Sequence, residues 1–328
     1  MIHPRPATHL HARKIRHAVA SLLLLCLSVS FTACSGTSTP LQSQQSDTVS
    51  SVSAAQAPSD EMPEEDVSVS NSGSSSENEN EQILSAITDS QIVYLGETHS
   101  DPADHTAQLE IIQALNDRND IVIGLEMFQR PFQPAVDAYL AGEITEAELL
   151  EDTEYETRWG YDWAFYAPIL RYAKENQIPV LALNTPAEVT RKVATDGLSS
   201  LSGEELKHIP PVADIDLTDK DYRATLESIF SAHGGAGHSA SFDNFFAAQV
   251  LWDETMAEAV ADQHQRDPQR QVIVLAGEGH VAYGYGIPNR VARRLPDVEQ
   301  DSVLLLPPDA PTDEAAADWI WVTSEPSP

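Results

Sequence analysis

The sequence has few cysteines. The only two, Cys26 and Cys34, lie near the N-terminus, and residues 35–328 contain none. A disulfide framework and a site built from cysteine thiolates are therefore excluded for that part of the chain. Any metal ion bound there has to be held by histidine, carboxylate or tyrosine side chains.

Positive charge is also scarce. The 328 residues contain 19 Lys and Arg against 51 Asp and Glu, which gives a formal net charge of −32. No basic patch is present, so we do not expect nucleic acid as a partner. The sequence also lacks the Walker, G-x-S-x-G, G-x-G-x-x-G and H-E-x-x-H signatures, so nucleotide binding, a serine nucleophile and a zinc-protease helix have no support.

The N-terminal residues have the pattern of a secretory signal. A basic start, MIHPRPATHLHARKIRH, precedes the apolar run AVASLLLLCLSVSFTA, which is short for a membrane span. The stretch FTAC, ending at Cys34, resembles a bacterial lipobox, in which the cysteine is lipidated and becomes the new N-terminus. We therefore predict a lipoprotein signal peptide over 1–33 and a lipid on Cys34. An ordinary cleaved signal with a chance cysteine is the alternative.

The following segment has the composition of a disordered linker. Residues 35–81 are rich in serine and acidic residues and contain no Lys, Arg or aromatic residue. Such a chain cannot bury enough apolar surface to order itself. We predict a disordered tether over 34–81, a folded domain over 82–323 and a tail over 324–328. A serine directly after the lipidated cysteine, here Ser35, resembles the sorting signal of outer-membrane lipoproteins. We therefore expect the protein to be lipid-anchored at the bacterial outer membrane, on its periplasmic face.

Short, continuous apolar runs indicate the fold. They are IVYLG (92–96), IVIGL (121–125), PVLAL (179–183) and VIVLAG (272–277), with helical patterns between them. Runs of this kind are typical of parallel strands buried on both faces. SVLLL (302–306) and WIWVT (319–323) indicate two late strands, which we expect at an edge of the sheet. We predict an α/β fold with a mostly parallel central sheet, helices on both faces, and a ligand crevice at the carboxyl ends of the strands.

Polar residues follow the predicted strands. The stretches VYLGETH (93–99) and VLAGEGH (274–280) each end an apolar run in Gly-Glu-x-His, and polar residues also follow the second and third runs. Since the carboxyl ends of parallel strands meet at one edge, we expect these side chains to form one cluster. Capping of the following helices is the alternative. The residues are Glu97, His99, Glu126, Asn184, Glu278 and His280.

Glutamate and neutral histidine support two kinds of chemistry. They are good ligands for zinc, iron or manganese, and they can also act as an acid–base pair. Glu97, His99 and His280 are the candidate metal ligands. Arg130 follows the second strand, where it could pair with an anionic group of a ligand.

Several blocks in order resemble the ChaN-like family of iron-regulated lipoproteins. The family falls in the Tiki superfamily, with erythromycin-esterase-like and TraB-like relatives. Gly96, Glu97 and His99 match its first motif, and Gly277 and His280 match its second. The blocks span most of 82–323 and are YLGETHSDPADHTAQLEII, IGLEMFQRPFQPAVDAYLAGEI, FFAAQVLWDETMA, LAGEGHVAYGYGIPNRV and the closing ADWIWVT.

The resemblance implies haem binding. Family members are dimers that hold two haems face to face between subunits, with a tyrosine as iron ligand. It therefore implies a homodimer that functions in haem or iron uptake. The resemblance does not fix which tyrosine binds the iron: Tyr283 lies beside the second motif, and Tyr161 and Tyr166 lie in the block WGYDWAFYAPIL. The candidate haem contacts are Tyr283, His99, His280 and Arg130.

The wider superfamily implies an alternative. Some of its members are metal-dependent hydrolases that use the same strand-end positions. In that case Glu97, His99, Glu126 and His280 would be catalytic around a divalent ion such as zinc or manganese. A metal-bound water would be the nucleophile, with a glutamate as general base.

Overall fold

The computed structural model describes residues 73–232, 239 and 241–324. The predicted signal peptide, Cys34 and residues 34–72 of the predicted tether lie outside the described residues, as do 325–328 of the predicted tail. The His233–His238 loop is also outside them.

The described residues form a single parallel sheet. Its spatial order is β3-β2-β4-β1-β5-β6, and every pair of neighbouring strands is parallel. The predicted α/β class is therefore confirmed, and the two late strands form one side of the sheet with β6 at the edge. The strands are β1 (Ile92–Glu97), β2 (Ile121–Gln129), β3 (Val180–Asn184), β4 (Gln271–Gly277), β5 (Gln300–Leu306) and β6 (Trp319–Val322).

Helices connect the strands and cover the sheet. In the described parts of the chain, none of them is long and apolar enough to cross a membrane. The α-helices are α1 (Gly73–Ile87), α2 (Pro102–Asn116), α3 (Gln133–Ala141), α4 (Glu146–Asp152), α5 (Tyr155–Arg158), α6 (Trp163–Glu175), α7 (Ala187–Asp196), α8 (Lys220–Ala232), α9 (Phe242–Arg266), α10 (Glu278–Val281) and α11 (Ile287–Arg294).

Both faces of the sheet are buried. Within β1, Val93 and Leu95 contribute to one apolar cluster, with residues of α1, α2, α3 and α6. Ile92 and Tyr94 point to the other face and pack with residues of α9 and α11. This explains why the strands read as continuous apolar runs rather than as alternating ones.

Helix α1 corrects the predicted tether. It begins at Gly73, so residues 73–81 are helical, whereas we expected them to be disordered. The helix is fixed by apolar residues near its C-terminal end, Ile83, Leu84 and Ile87, all of which are buried. The composition of residues 73–81 does not predict this helix, because its polar first turns are stabilised by the packed apolar residues that follow them.

The order of the strands explains why the two Gly-Glu-x-His stretches belong together. Strand β4 lies directly beside β1, and Glu97 is in register with Gly277. Strand β2 lies on the other side of β4. The three strands that carry the candidate acidic and histidine residues are therefore adjacent in the middle of the sheet.

Candidate functional site

The predicted cluster forms at the carboxyl ends of β1, β2 and β4. Glu97, His99, Glu126 and His280 lie together there, and their side chains are almost wholly buried, with relative exposures of 0% to 4%. A buried ionisable group requires hydrogen bonds or an opposite charge. The contacts of each residue therefore indicate what the cluster can do.

One half of the cluster is built around Glu97. Its Oε1 lies 2.7 Å from Nδ1 of His99 and accepts a hydrogen bond of 2.7 Å from the Tyr166 hydroxyl. Its Oε2 accepts from Nε2 of Gln108 at 2.5 Å and lies 3.6 Å from Nδ1 of His105. Burial raises the pKa of Glu97, but the His99 hydrogen bond and the nearby imidazoles outweigh it and lower that pKa.

The other half is built around His280. Its Nδ1 lies 2.6 Å from Oδ1 of Asp253, and both side chains are fully buried. The Tyr222 hydroxyl donates to Oδ2 of Asp253 at 2.8 Å, and Nε2 of Gln249 lies 3.3 Å from the same imidazole nitrogen. The ring of Trp252 packs edge-on against the imidazole.

Glu126 joins the two halves. Its Oε1 lies 3.3 Å from Nε2 of His280, and its Oε2 lies 4.0 Å from Nε2 of His99. The backbone N–H of Gly277 donates to Oε2 at 2.7 Å. Burial raises the pKa of Glu126, but the charges of His280 and His99 and these hydrogen bonds lower it to about 2. We call the connected side chains the Glu–His chain: Tyr222, Asp253, His280, Glu126, His99 and Glu97.

Glycine at position 277 is required by close packing. A Cβ atom there would lie 2.8 Å from Nε2 of His99 and 3.7 Å from Oε2 of Glu126. Real Cβ atoms do not approach neighbours as closely as 2.8 Å. Gly277 therefore lets the imidazole of the first motif lie against the backbone of the second.

The two Gly-Glu-x-His stretches do not play equivalent roles. Glu97 belongs to the Glu–His chain, whereas Glu278 begins the short helix α10 and is partly exposed. The carboxylates beside His280 are those of Asp253 and Glu126. Asn184 contributes through its side-chain amide, which donates to the backbone carbonyl of Glu126 at 2.9 Å.

The cluster is not arranged as a metal cage. Within the described ranges, no group of three or more His, Cys, Asp and Glu side chains is placed to hold a metal ion. The predicted ligands are engaged with neighbouring side chains: Nδ1 of His99 with Glu97, and Nδ1 of His280 with Asp253. The structure brings Glu97, His99 and His280 close together but does not assemble them around an ion.

Tyr283 lies at the surface. Its side chain is 38% exposed and its ring stacks on that of Tyr285, with centroids 5.5 Å apart. Its hydroxyl donates to Oδ2 of Asp313 at 3.1 Å, and its backbone N–H donates to the carbonyl of Ala316. Burial, followed by the hydrogen bond to Asp313, raises the pKa of Tyr283.

Arg130 is not brought together with Tyr283. It forms an ion pair with Glu258 at 2.8 Å and lines a groove with Gln133 and Leu181 beside the edge strand β3. Tyr283 instead contacts the segment that precedes β6, at the opposite edge. Within one chain, Arg130 and Tyr283 therefore contact opposite edges of the sheet. The reason is that the chain after β2 turns outward along β3, where Gln133 bonds to the strand.

Sequence reasoning missed several partners in the Glu–His chain. Gln249 and Asp253 lie in the block FFAAQVLWDETMA, but the sequence assigned no role to them, to Tyr222 or to Gln108. Gln249 and Asp253 are four residues apart, so they share one face of α9. That spacing within AQVLWDETMA was the available signal, but it does not reveal that the face is buried against His280.

Comparison with known proteins supports the predicted family. A family model described as haem-binding uptake, Tiki superfamily, ChaN matches residues 83–291. Among curated proteins, RETICULATA-RELATED 5, a chloroplastic protein of Arabidopsis thaliana, is 27% identical over 249 residues. That match covers 69% of this chain and 32% of the plant protein, so the chain spans about a third of that relative.

The fold agrees with that of a solved ChaN structure. ChaN of Campylobacter jejuni, described with cofacial haem binding, matches with a TM-score of 0.59 at 18% identity, over 75% of this chain and 92% of ChaN. A mutant of the erythromycin esterase EreC in its open conformation has a TM-score of 0.41 at 16% identity, over 68% and 72% of the two chains. Because the family model matches well over half of its residues, the chain belongs to the haem-binding ChaN family of the Tiki superfamily.

Proposed function

We propose that this protein is a membrane-anchored lipoprotein that binds haem in haem or iron uptake, with Tyr283 as the iron ligand. The observation that carries the proposal is the position of Tyr283. It lies three residues after His280, the end of the second Gly-Glu-x-His stretch, in a chain of a haem-binding family, and its partly exposed ring belongs to a stacked tyrosine pair.

The residues around Tyr283 fit a haem at the surface. A tyrosine phenolate is an established axial ligand of haem iron. The ring of Tyr285 supports that of Tyr283, and aromatic faces pack well against flat apolar groups. The Tyr283 hydroxyl donates a hydrogen bond to Asp313. This hydrogen bond has to break when the phenol oxygen binds iron. Haem itself supplies the iron.

The histidines have a different relation to such a ligand. His99 and His280 lie below the surface, and Trp159 and Tyr161 pack against the ring of His99. A porphyrin reaches them only if these covering residues move. In the proposed function, the Glu–His chain instead fixes the ends of β1 and β4, and so the base of the loop that carries Tyr283.

We propose a homodimer in which each chain presents Tyr283 to a haem, in keeping with the cofacial binding described for Campylobacter jejuni ChaN. Sedimentation of the full-length protein with and without ferric haem tests this. A dimer with haem supports it, and a monomer at saturating haem contradicts it.

Membrane anchoring depends on Cys34. We propose that this residue carries lipid and holds the domain at the outer membrane, facing the periplasm. Cell fractionation of the wild-type chain and of Cys34→Ser tests the anchor. The variant should leave the membrane fraction, and unchanged retention would contradict the proposed anchor.

Titration with ferric haem tests the proposed function. We expect a Soret band that saturates near one haem per chain for the full-length protein in detergent. Absence of any Soret change would overturn the proposal. Tightly bound zinc or manganese, found by elemental analysis of the same sample, would then favour a hydrolase.

One observation favours that second candidate. In each half of the Glu–His chain a carboxylate holds Nδ1 of the imidazole, which directs Nε2 toward Glu126. Carboxylates commonly orient metal-binding or catalytic histidines in this way. A hydrolase would use Glu97, His99, Glu126 and His280, but their side chains would have to rearrange to hold an ion.

A further inference from the structure

Arg290 connects the tyrosine loop to the helix that follows it. It lies on α11, and its side chain is buried, with a relative exposure of 3%. One guanidinium nitrogen, Nη1, donates to the backbone carbonyls of Tyr285 and Gly286. Arg290 thus holds two consecutive carbonyls of the loop that carries Tyr283.

The guanidinium is itself fixed on two sides. Its Nε lies 3.5 Å from Oε1 of Glu254, a fully buried carboxylate on α9 that also pairs with Arg293 and Arg294. Its planar group also lies over the ring of Tyr222, 5.2 Å from the centroid. Since Tyr222 belongs to the Glu–His chain, Arg290 links the surface loop to the buried cluster.

The loop needs such a restraint. Tyr283 and Gly284 have φ values of 57° and 69°, in the left-handed region that a tyrosine rarely adopts. A Cβ atom at Gly286 would lie 2.1 Å from the carbonyl oxygen of His280, so the loop is packed tightly onto α10. Conformations of this kind persist only where surrounding contacts hold them.

We propose that Arg290, fixed by Glu254, is a positioning residue for Tyr283: it holds residues 283–286 so that the phenol stands at the surface for iron. The inference rests on the proposed haem function. The guanidinium is suited to this role because Nη1 donates to both loop carbonyls while its planar charge lies over Tyr222 and beside Glu254. A lysine keeps the charge but has no planar group to stack on Tyr222, so we expect it not to replace the arginine.

The test compares Arg290→Lys and Arg290→Gln with Arg293→Gln in the full-length protein. Arg293 is the matched control, because it also pairs with Glu254 but has no described contact with the loop carbonyls. Two readouts are taken: ferric haem titration with the visible spectrum of the complex, and hydrogen exchange of the 281–287 backbone amides without haem. Thermal unfolding checks that each variant is folded.

We expect faster exchange over 281–287, an altered spectrum of the bound haem and at least about tenfold weaker haem binding in folded Arg290→Lys, from loss of charge-assisted hydrogen bonds. Arg293→Gln should match the wild type in all three. Unchanged exchange and haem affinity in folded Arg290→Lys would overturn the proposal. Failure of the wild type to bind haem overturns the proposed function instead, and exchange then still decides whether Arg290 restrains the loop.

Discussion

Asp253 and His280 form a fully buried pair, with Oδ1 and Nδ1 2.6 Å apart. The aspartate comes from the middle of α9, and the histidine follows β4. Removing one partner of a buried pair leaves the other without compensation, which destabilises a protein more than loss of an exposed pair does. The stability of the domain should therefore depend on this contact.

Substitution of Asp253 by Asn keeps the shape of the side chain but removes its charge. We expect Asp253→Asn to lower the free energy of unfolding by about 3 kcal/mol, as for other buried pairs that lose one partner. Asp243→Asn is the control, because Asp243 pairs with Arg223 at the surface. Loss of such an exposed pair lowers the free energy of unfolding by about 1 kcal/mol or less. Urea denaturation measures both, and equal losses would contradict the role assigned to the buried pair.

Gly277→Ala should disturb His99 in particular. The added methyl group would lie 2.8 Å from the His99 ring, so we expect a loss of roughly 1–3 kcal/mol, as for other overpacked sites. His99→Ala provides the control background, since it removes the atoms that clash. In a double-mutant cycle the glycine substitution should then cost less. An equal cost in both backgrounds would show that the clash lies elsewhere.

Acid should destabilise the fold through Glu126. Its pKa is about 2 in the folded protein, below the ordinary value of 4.5, so its contribution is complete above pH 4.5 and is lost as pH falls toward 2. The lost contribution is roughly 3 kcal/mol from the size of the shift. Urea midpoints between pH 6 and 2 should fall less steeply for Glu126→Gln than for the wild type. Parallel curves would exclude this residue as the cause.

Asp104 should destabilise the fold as pH rises, whereas Glu126 does so as pH falls. It is buried on α2, and within the described structure its Oδ1 has no hydrogen-bond partner, while Oδ2 accepts from the N–H of Thr98. Burial raises the pKa of Asp104 to about 8. Nearby carboxylates raise this pKa as well, and the hydrogen bond from Thr98 lowers it by less. Its stabilising contribution is therefore complete below pH 3.8 and is lost as pH rises to about 8.

Asp104→Asn should remove the loss of folding stability that the wild type shows as pH rises. We expect the variant to gain stability relative to the wild type between pH 5 and pH 9, measured by urea denaturation at both values. Asp117→Asn is the control, because Asp117 is the exposed C-terminal cap of the same helix and is not one of the carboxylates that raise the pKa of Asp104. If the two variants show the same pH dependence, burial of Asp104 does not govern this range.

The sequence predicted the framework of the site well. Continuous apolar runs identified the parallel strands, and the known behaviour of such sheets placed Glu97, His99, Glu126 and His280 at one edge. This worked because strand patterns and strand-end positions are local features. The pairing of β1 with β4 then made the two repeated stretches neighbours.

The failures came from contacts between distant parts of the chain. Nothing local shows that Asp253 on α9 pairs with His280, or that Glu278 does not repeat the role of Glu97. Nothing local shows that Arg130 lies beside the edge strand β3, to which Gln133 bonds. The residues before Gln82 looked disordered because their helix depends on apolar side chains further along.

Haem binding by Tyr283→Phe, compared with Tyr285→Phe, tests the proposed haem site most directly. Both substitutions remove one phenol oxygen from the same stacked pair, but only Tyr283 is assigned as the iron ligand. Titration of the full-length variants with ferric haem, followed by the Soret and visible bands, should show loss of the tyrosinate signature and at least about tenfold weaker binding for Tyr283→Phe, since an axial ligand is removed. Tyr285→Phe should keep the signature. Wild-type affinity and spectrum in Tyr283→Phe would contradict the assignment of Tyr283 as the ligand.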